Sequence, residues 1–207
     1  MTLSWDIATL RNTVFENDVV RLRRINLNDK AGFSRISYDQ ETWEHFVSAI
    51  EIEQDLDNFI EEAIRDTLTG SRIVFAIIDR VSGQIAGSTA YGNFVANERK
   101  LEIGWSWLGQ EYRGTKINRA SKLLLLDYAF ERLLCERVEF KTDVLNLRAR
   151  RGLESIGAKE EGTLRSFNYM PGGRRRNAVY YSIIKEEWSA IREEQFNGKL
   201  ELATNWP

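Results

Sequence analysis

The hydrophobic period changes repeatedly along the chain, and each change marks an element. VVRLRRI (19–25) alternates Val20 and Leu22 against Val19, Arg21 and Arg23, the period of two that makes a strand with one wet face. NLNDKAGFSRIS then supplies an Asn or Asp cap and helical spacing over about 28–37. In EQDLDNFIEEAIRDTL (53–68), Leu56, Phe59, Ile60, Ala63, Ile64 and Leu68 form one stripe, which predicts an amphipathic helix ended by Gly70. RIVFAIID (72–79) and QIAGSTAYGNF (84–94) flank the turn VSG as a hairpin, and KLEIGWSWL (100–108) is a further strand after a turn at Asn97 and Glu98.

The second half repeats the alternation of strand and helix. An apolar helix with Leu124, Leu125 and Tyr128 is predicted over about 118–134, and RVEFKTD (137–143) is a strand with Val138, Phe140 and Thr142 set against charged partners. A helix over about 148–156 closes at Gly157, which suits a left-handed cap. AKEEGTLRSFNY and RRRNAVYYSII pair through MPGGR as a second hairpin, and EEWSAIREEQ begins a C-terminal helix and tail over 186–207. Residues 1–18 lack a clean period and read as an arm or a first helix.

That order predicts an α/β (α+β) fold: a mixed, mostly antiparallel sheet flanked by helices. The helix between the strands at 100–108 and 137–143 makes a parallel crossover, so one parallel pair sits in the middle of the sheet. Where two such strands splay apart, a narrow ligand can enter.

Composition narrows the function. The 207 residues, 43% hydrophobic, support one full-sized domain with a buried core. A net charge of -2 from 29% charged residues gives no global attraction to nucleic acid or an anionic membrane, so anion binding must be local. No apolar run reaches membrane-helix length and the N-terminus lacks signal-peptide character, which together lead us to expect a cytoplasmic protein. Cys135 is the lone cysteine and His45 the lone histidine, so a disulfide, a metal cluster or a histidine-based triad is not expected. Cys135 reads as a buried structural thiol.

Candidate chemistry gathers at EYRGTKINR (111–119), between a strand and a helix. Backbone N–H groups at a helix N-terminus lack internal partners and favour anions, and Gly114 lets a ligand approach the main chain, so the stretch is either a structural turn or a phosphate cradle. There is no G-x-x-x-x-G-K-[ST] and no G-x-G-x-x-G to support a nucleotide-binding domain.

The succession W-x-W-L, Y-R-G-T-x-I-N, LLLLDYAFERL, RVEFKTDVLN, IGAKEEGTLR and YYSIIKEEW resembles the GNAT acetyltransferase superfamily, in its RimJ/RimL-like branch, over about 18–188. The resemblance implies that an acetyl group passes directly from acetyl-coenzyme A to an amine, either a protein N-terminus or a small amine. It further implies that the backbone amides of Arg113, Gly114, Thr115, Lys116, Ile117 and Asn118 hold the coenzyme's pyrophosphate. The main chain at Trp107 and Leu108 would pair with the pantetheine arm, which Asn146 also contacts, and a backbone N–H of the strand 100–108 would polarise the acetyl oxygen.

Two departures from the superfamily pattern stand out: Glu111 and Lys116 occupy the outer positions of the loop, and Ala149 and Leu153 stand where a serine or tyrosine usually protonates the leaving thiolate. Ser106, Tyr128 and Ser166 are the alternative donors. Glu102 is the candidate general base, with an edge ion pair as the plainer reading. Trp43, His45 and Trp105 are candidates to line the acceptor side, and Arg174–Arg176 form a basic hairpin that reads as a solvated turn or an anion-selective mouth. A second copy of the chain is a further candidate partner. The rival reading is a GNAT-fold module that binds acyl-coenzyme A with little turnover.

Overall fold

The structure, a computed structural model, describes Trp5 and residues 7–196 of the chain. The expectations for the first residues of the arm and for the tail beyond Phe196 lie outside the described residues. Helix α1 (Ile7–Asn12) leads into strands β1 (Phe15–Glu16) and β2 (Val20–Arg24), then α2 (Lys30–Ser34), α3 (Gln40–Trp43) and α4 (Glu53–Thr69). Strands β3 (Arg72–Asp79), β4 (Ile85–Val95) and β5 (Lys100–Leu108) follow. Helix α5 (Ile117–Glu131), strand β6 (Arg137–Asp143), helix α6 (Leu147–Glu154), strands β7 (Lys159–Tyr169) and β8 (Arg175–Ile184) and helix α7 (Lys185–Ile191) complete the order.

The eight described strands join one sheet in the order β1-β2-β3-β4-β5-β6-β8-β7. Among them only β5 and β6 run parallel, and they pair over three positions alone, Lys100–Glu102 against Arg137–Glu139. Beyond Glu102 the two strands part: β6 continues along β8 to Asp143, while β5 continues along β4 to Leu108. The gap opens toward the carboxyl ends of the parallel pair, where α/β sheets place ligands.

Each face of the sheet has its own core. Leu101 and Ile103 of β5, Val138 and Phe140 of β6, and Phe75 and Tyr91 pack with Leu123, Leu124 and Phe130 of α5. Val74, Ala76, Ala90 and Trp107 pack on the other face with Phe33 of α2 and Leu56, Ile60 and Ala63 of α4. Strand alternation produces this division, because successive side chains leave opposite faces.

The structure differs from the sequence reading mainly at ends. The Asn cap read for the first helical segment is Asn26, which accepts from the Asn28 N–H at 3.0 Å, while Asp29 accepts from the Asn26 N–H at 2.9 Å and pairs bidentately with Arg23. Leu68 of the α4 stripe is exposed while Thr67 is buried, its hydroxyl accepting from the Val74 N–H at 3.1 Å. Helix α5 stops at Glu131, short of the expected 134, where the Cys135 N–H turns back to the Ala129 carbonyl. Gly157 has φ 86°, the left-handed position read for it.

Candidate active site

The site begins with a bulge. Ala90 of β4 faces Gly104 and Ser88 faces Trp107, so Trp105 and Ser106 together oppose Thr89. A bulge re-aims the main chain and the side chains beside it. Trp105 accommodates the extra residue at φ 50°, its ring covering Gly92 and lying 5.1 Å from the Arg72 guanidinium. Through the bulge Glu102, Gly104, Trp105 and Trp107 keep to the α4 face, while Ser106 and Leu108 turn to the α5 face. Among the described residues, no strand pairs with the outer edge of β5 past Glu102, which leaves 103–108 without a strand partner along the gap, although the Leu108 carbonyl accepts from Arg113 Nε at 3.3 Å.

Glu102 is 4% exposed and lies on the α4 face at the root of the gap. It accepts from Asn93 Nδ2 at 2.7 Å and from Lys141 Nζ at 3.3 Å. Its Oε1 occupies the space where a Cβ on residue 104 would stand, at 2.9 Å, so Gly104 is what admits the carboxylate. Lys141 is in turn flanked by the rings of Phe167 and Tyr180, at 5.2 and 5.6 Å. Glu102 is thus ion-paired with Lys141 and sits beside the splayed strands.

The loop 109–116 joins β5 to α5 at the open end of the gap. Gly114 has φ 73°, a region that strains any L side chain, and nothing lies within 4 Å of where a Cβ would be. Among the described residues, the amides of Gly114, Thr115, Lys116 and Asn118 have no hydrogen-bond acceptor. Four exposed or half-buried donors at a helix N-terminus fit a phosphate group. Two members of the expected set have local acceptors. The Arg113 N–H already donates to the Gln110 carbonyl at 3.2 Å, closing a 3₁₀ turn, and the Ile117 N–H meets Thr115 Oγ1 at 3.3 Å.

Side chains of the loop divide the same way. Arg113 reaches away from the loop to Asp39 at 2.6 Å and to the Thr42 hydroxyl, tying α3 to the end of β5. Arg119 donates to the carbonyls of Gln195 and Ser155. Lys116 is left exposed beside the open amides, and Glu111 is also exposed.

The remaining candidates are dispersed. Asn146 Oδ1 accepts from the Ala149 N–H at 2.9 Å and caps α6, a role that does not engage its Nδ2. Trp43 is packed in the core, 7% exposed, its ring 5.0 Å from that of Trp107, and its Nε1 donates to the Ser37 carbonyl. His45 lies just past α3, half-buried, with Nε2 3.9 Å from Glu44. Arg174 pairs with the buried Asp143 at 2.5 Å and Arg175 with Ser166, while Arg176 is 7% exposed. The basic hairpin is therefore split among an ion pair at Arg174, neutral hydrogen bonds at the exposed Arg175 and burial at Arg176. Cys135 is buried, and burial pushes its thiol up to about 12.

One functional group escaped the sequence reading. Lys122, in the middle of α5, is 4% exposed and places Nζ 2.6 Å from Ser106 Oγ. Its signal was present: Leu125 and Leu126, three and four residues on, share the helix face that goes into the core.

A splayed parallel pair in a mostly antiparallel sheet, with open amides where the next helix begins, defines an acyltransferase architecture. A family model described as an Acetyltransferase (GNAT) domain matches residues 20–159, and the chain belongs to that family, whose members use acetyl-coenzyme A. A crystal structure from T. thermophilus, provisionally named an acetyltransferase, is 34% identical with a TM-score of 0.80, covering 88% of this chain and 94% of that one. YdaF of Bacillus subtilis strain 168, provisionally named a ribosomal N-acetyltransferase, is 38% identical over 106 residues, which are 51% of this chain and 57% of that relative. The match therefore spans little more than half the length of YdaF. Mycobacterium smegmatis RimJ, in complex with CoA-disulfide, shares the fold at a TM-score of 0.71 and 24% identity, over 84% of this chain and 87% of that one.

Proposed function

We propose that the protein transfers the acetyl group of acetyl-coenzyme A to a primary amine, the α-amine of a protein N-terminus or a small amine, by direct attack. The observation that carries this reading is the open edge of β5 at 103–108 leading into the four partnerless amides of 114–118. In this reading the amides of Gly114, Thr115, Lys116 and Asn118 hold the pyrophosphate, with the Lys116 ammonium beside them. The main chain at Trp107 and Leu108 takes the pantetheine arm as an added strand, assisted by Asn146 Nδ2. A main-chain N–H at the bulge polarises the acetyl oxygen. Glu102 accepts the proton of the attacking amine, directly or through water, from the α4 face. Trp105 and His45 border the acceptor side.

The name of YdaF favours a ribosomal-protein N-terminus among the acceptors, and we place the reaction in the cytoplasm on that ground. A homodimer is the assembly we expect; light scattering on the purified chain decides it.

Thiol release from acetyl-coenzyme A across a panel of peptides, amino acids and polyamines tests the activity, alongside a melting curve with coenzyme A. At a hundredfold excess over its dissociation constant the coenzyme adds about 2.7 kcal/mol, which for a chain of this size raises Tm by roughly 5–10 °C. A Tm rise with background thiol release from every amine would leave a binding module instead of an enzyme. No Tm rise would remove both.

A further inference from the structure

Among the described residues, Lys122 is a lysine buried without a carboxylate. Besides Ser106 Oγ at 2.6 Å, Nζ meets only Thr89 Oγ1 there, at 3.4 Å, and the two hydroxyls are 2.8 Å apart. Ser106 Oγ also lies 3.2 Å from the Gly104 carbonyl, across the bulge. A methionine would fill this volume without the desolvation that a buried cation suffers, so the amine is retained against a standing penalty. Burial lowers Lys122 to about 7, which puts its proton in play near neutral pH.

The groups around it leave it to the hydroxyls. Strand β4 presents Thr89 and Tyr91, the latter donating to the Leu125 carbonyl; β5 presents Ser106. The charged groups of β1 and β2 are engaged elsewhere, Glu16 with Arg21 and Arg80, Arg23 with Asp29, and Arg24 with Asn12. Asp127 of α5 itself is held by Arg192.

Ser106 is placed where a proton is wanted. It stands on the length of β5 that has left β6, on the opposite face of the strand from Glu102. An amine attacking from the Glu102 face forms a C–N bond as the C–S bond breaks, and the sulfur leaves with a negative charge. Ala149 and Leu153 carry no proton to give it. Tyr128 packs edge-on against Phe15 at 5.0 Å in the core, and Ser166 is bound by Arg175 on the exposed β7.

We propose that Ser106 gives its hydroxyl proton to the departing thiolate and that Lys122, acting through Ser106, is the positioning residue that replaces it. An S–H bond forms as the serine O–H breaks, and a proton passes from Nζ to the serine oxygen. Lys122 is left neutral and regains a proton from solvent, to which the base returns the one taken from the amine. This relay rests on the acetyl-transfer reading.

Two measurements test it. In Lys122→Met and Ser106→Ala, kcat falls about a hundredfold with KM for acetyl-coenzyme A unchanged, and Ser106→Thr restores activity; the wild-type kcat falls above neutral pH, and Lys122→Met lacks that fall. Separately, the ¹³Cε resonance of Lys122, assigned by its loss in Lys122→Met, titrates at a different pH with coenzyme A bound than with desulfo-coenzyme A, because a sulfur beside Ser106 changes the hydrogen bonds of that hydroxyl and so of Nζ. Equal titrations with the two coenzymes, or variants with wild-type kcat, overturn the relay. A wild-type chain that acetylates no amine counts against the activity itself, while the resonance comparison still places the sulfur or excludes it from Ser106.

Discussion

Lys122 makes stability depend on pH in a direction opposite to that of most lysines. Its folded value of about 7 lies below the ordinary 10.5, so between those limits the unfolded chain binds a proton that the folded chain does not. Stability contributed at this position therefore rises with pH across that window and is lost below it. Urea melts at pH 7 and pH 10 measure the slope, and Lys122→Met abolishes its share. Glu102 carries a second residue-scale prediction. Glu102→Gln keeps the shape and the contact with Asn93 but cannot accept a proton, so kcat falls about 10²–10⁴-fold while the coenzyme-induced Tm rise is retained. Wild-type kcat in that variant leaves Glu102 as the ion-pair partner of Lys141 alone. At Cys135, a thiol pushed to about 12 and buried in the core does not react with an aromatic disulfide reagent until the chain unfolds; prompt labelling of the native protein contradicts this.

At the scale of elements, the edge strand β7 is pinned by charge more than by packing. Nearly all of it is exposed, and Glu161 makes a bidentate pair with Arg137 of β6, across β8, and accepts from Ser182 at 2.7 Å. The Arg137 pairing holds Glu161 down to about 2, below its ordinary 4.5. Its contribution is complete above pH 4.5 and disappears as pH falls through about 2, so acid weakens the tie of β7 to β6, and Arg137→Ala removes that acid dependence. Hydrogen exchange of β7 amides between pH 5 and 2.5 checks both. The loop before α5 carries the other prediction: Gly114→Ala meets no steric contact but must hold φ 73°, a strain of about 1–2 kcal/mol. Coenzyme affinity falls with it, and calorimetric titration reads the loss. Most elements were legible because their periods are long, as in α4 and the β3–β4 hairpin. β1 was not, since two residues carry no period, and neither was α3, whose four residues owe their helix to the Asp39 cap and the Arg113 tie.

Across the whole molecule, β5 separates two chemistries. One face presents a carboxylate with Lys141 and Asn93, the other a hydroxyl with Lys122, and the gap beside β6 runs between them. The strand-to-helix loop was legible because the place of Gly114 between strand and helix is a matter of chain order. The fate of individual amides and guanidinium groups was not, because the Arg113 tie to Asp39 spans 74 residues and Lys122 meets Ser106 only once α5 packs on the sheet. A structure with coenzyme A bound tests this arrangement most directly. The expected result is pyrophosphate oxygens on the amides of Gly114, Thr115, Lys116 and Asn118, the pantetheine arm along the open edge of β5, and the sulfur beside Ser106. A coenzyme bound elsewhere, or a sulfur remote from both faces of the bulge, contradicts it.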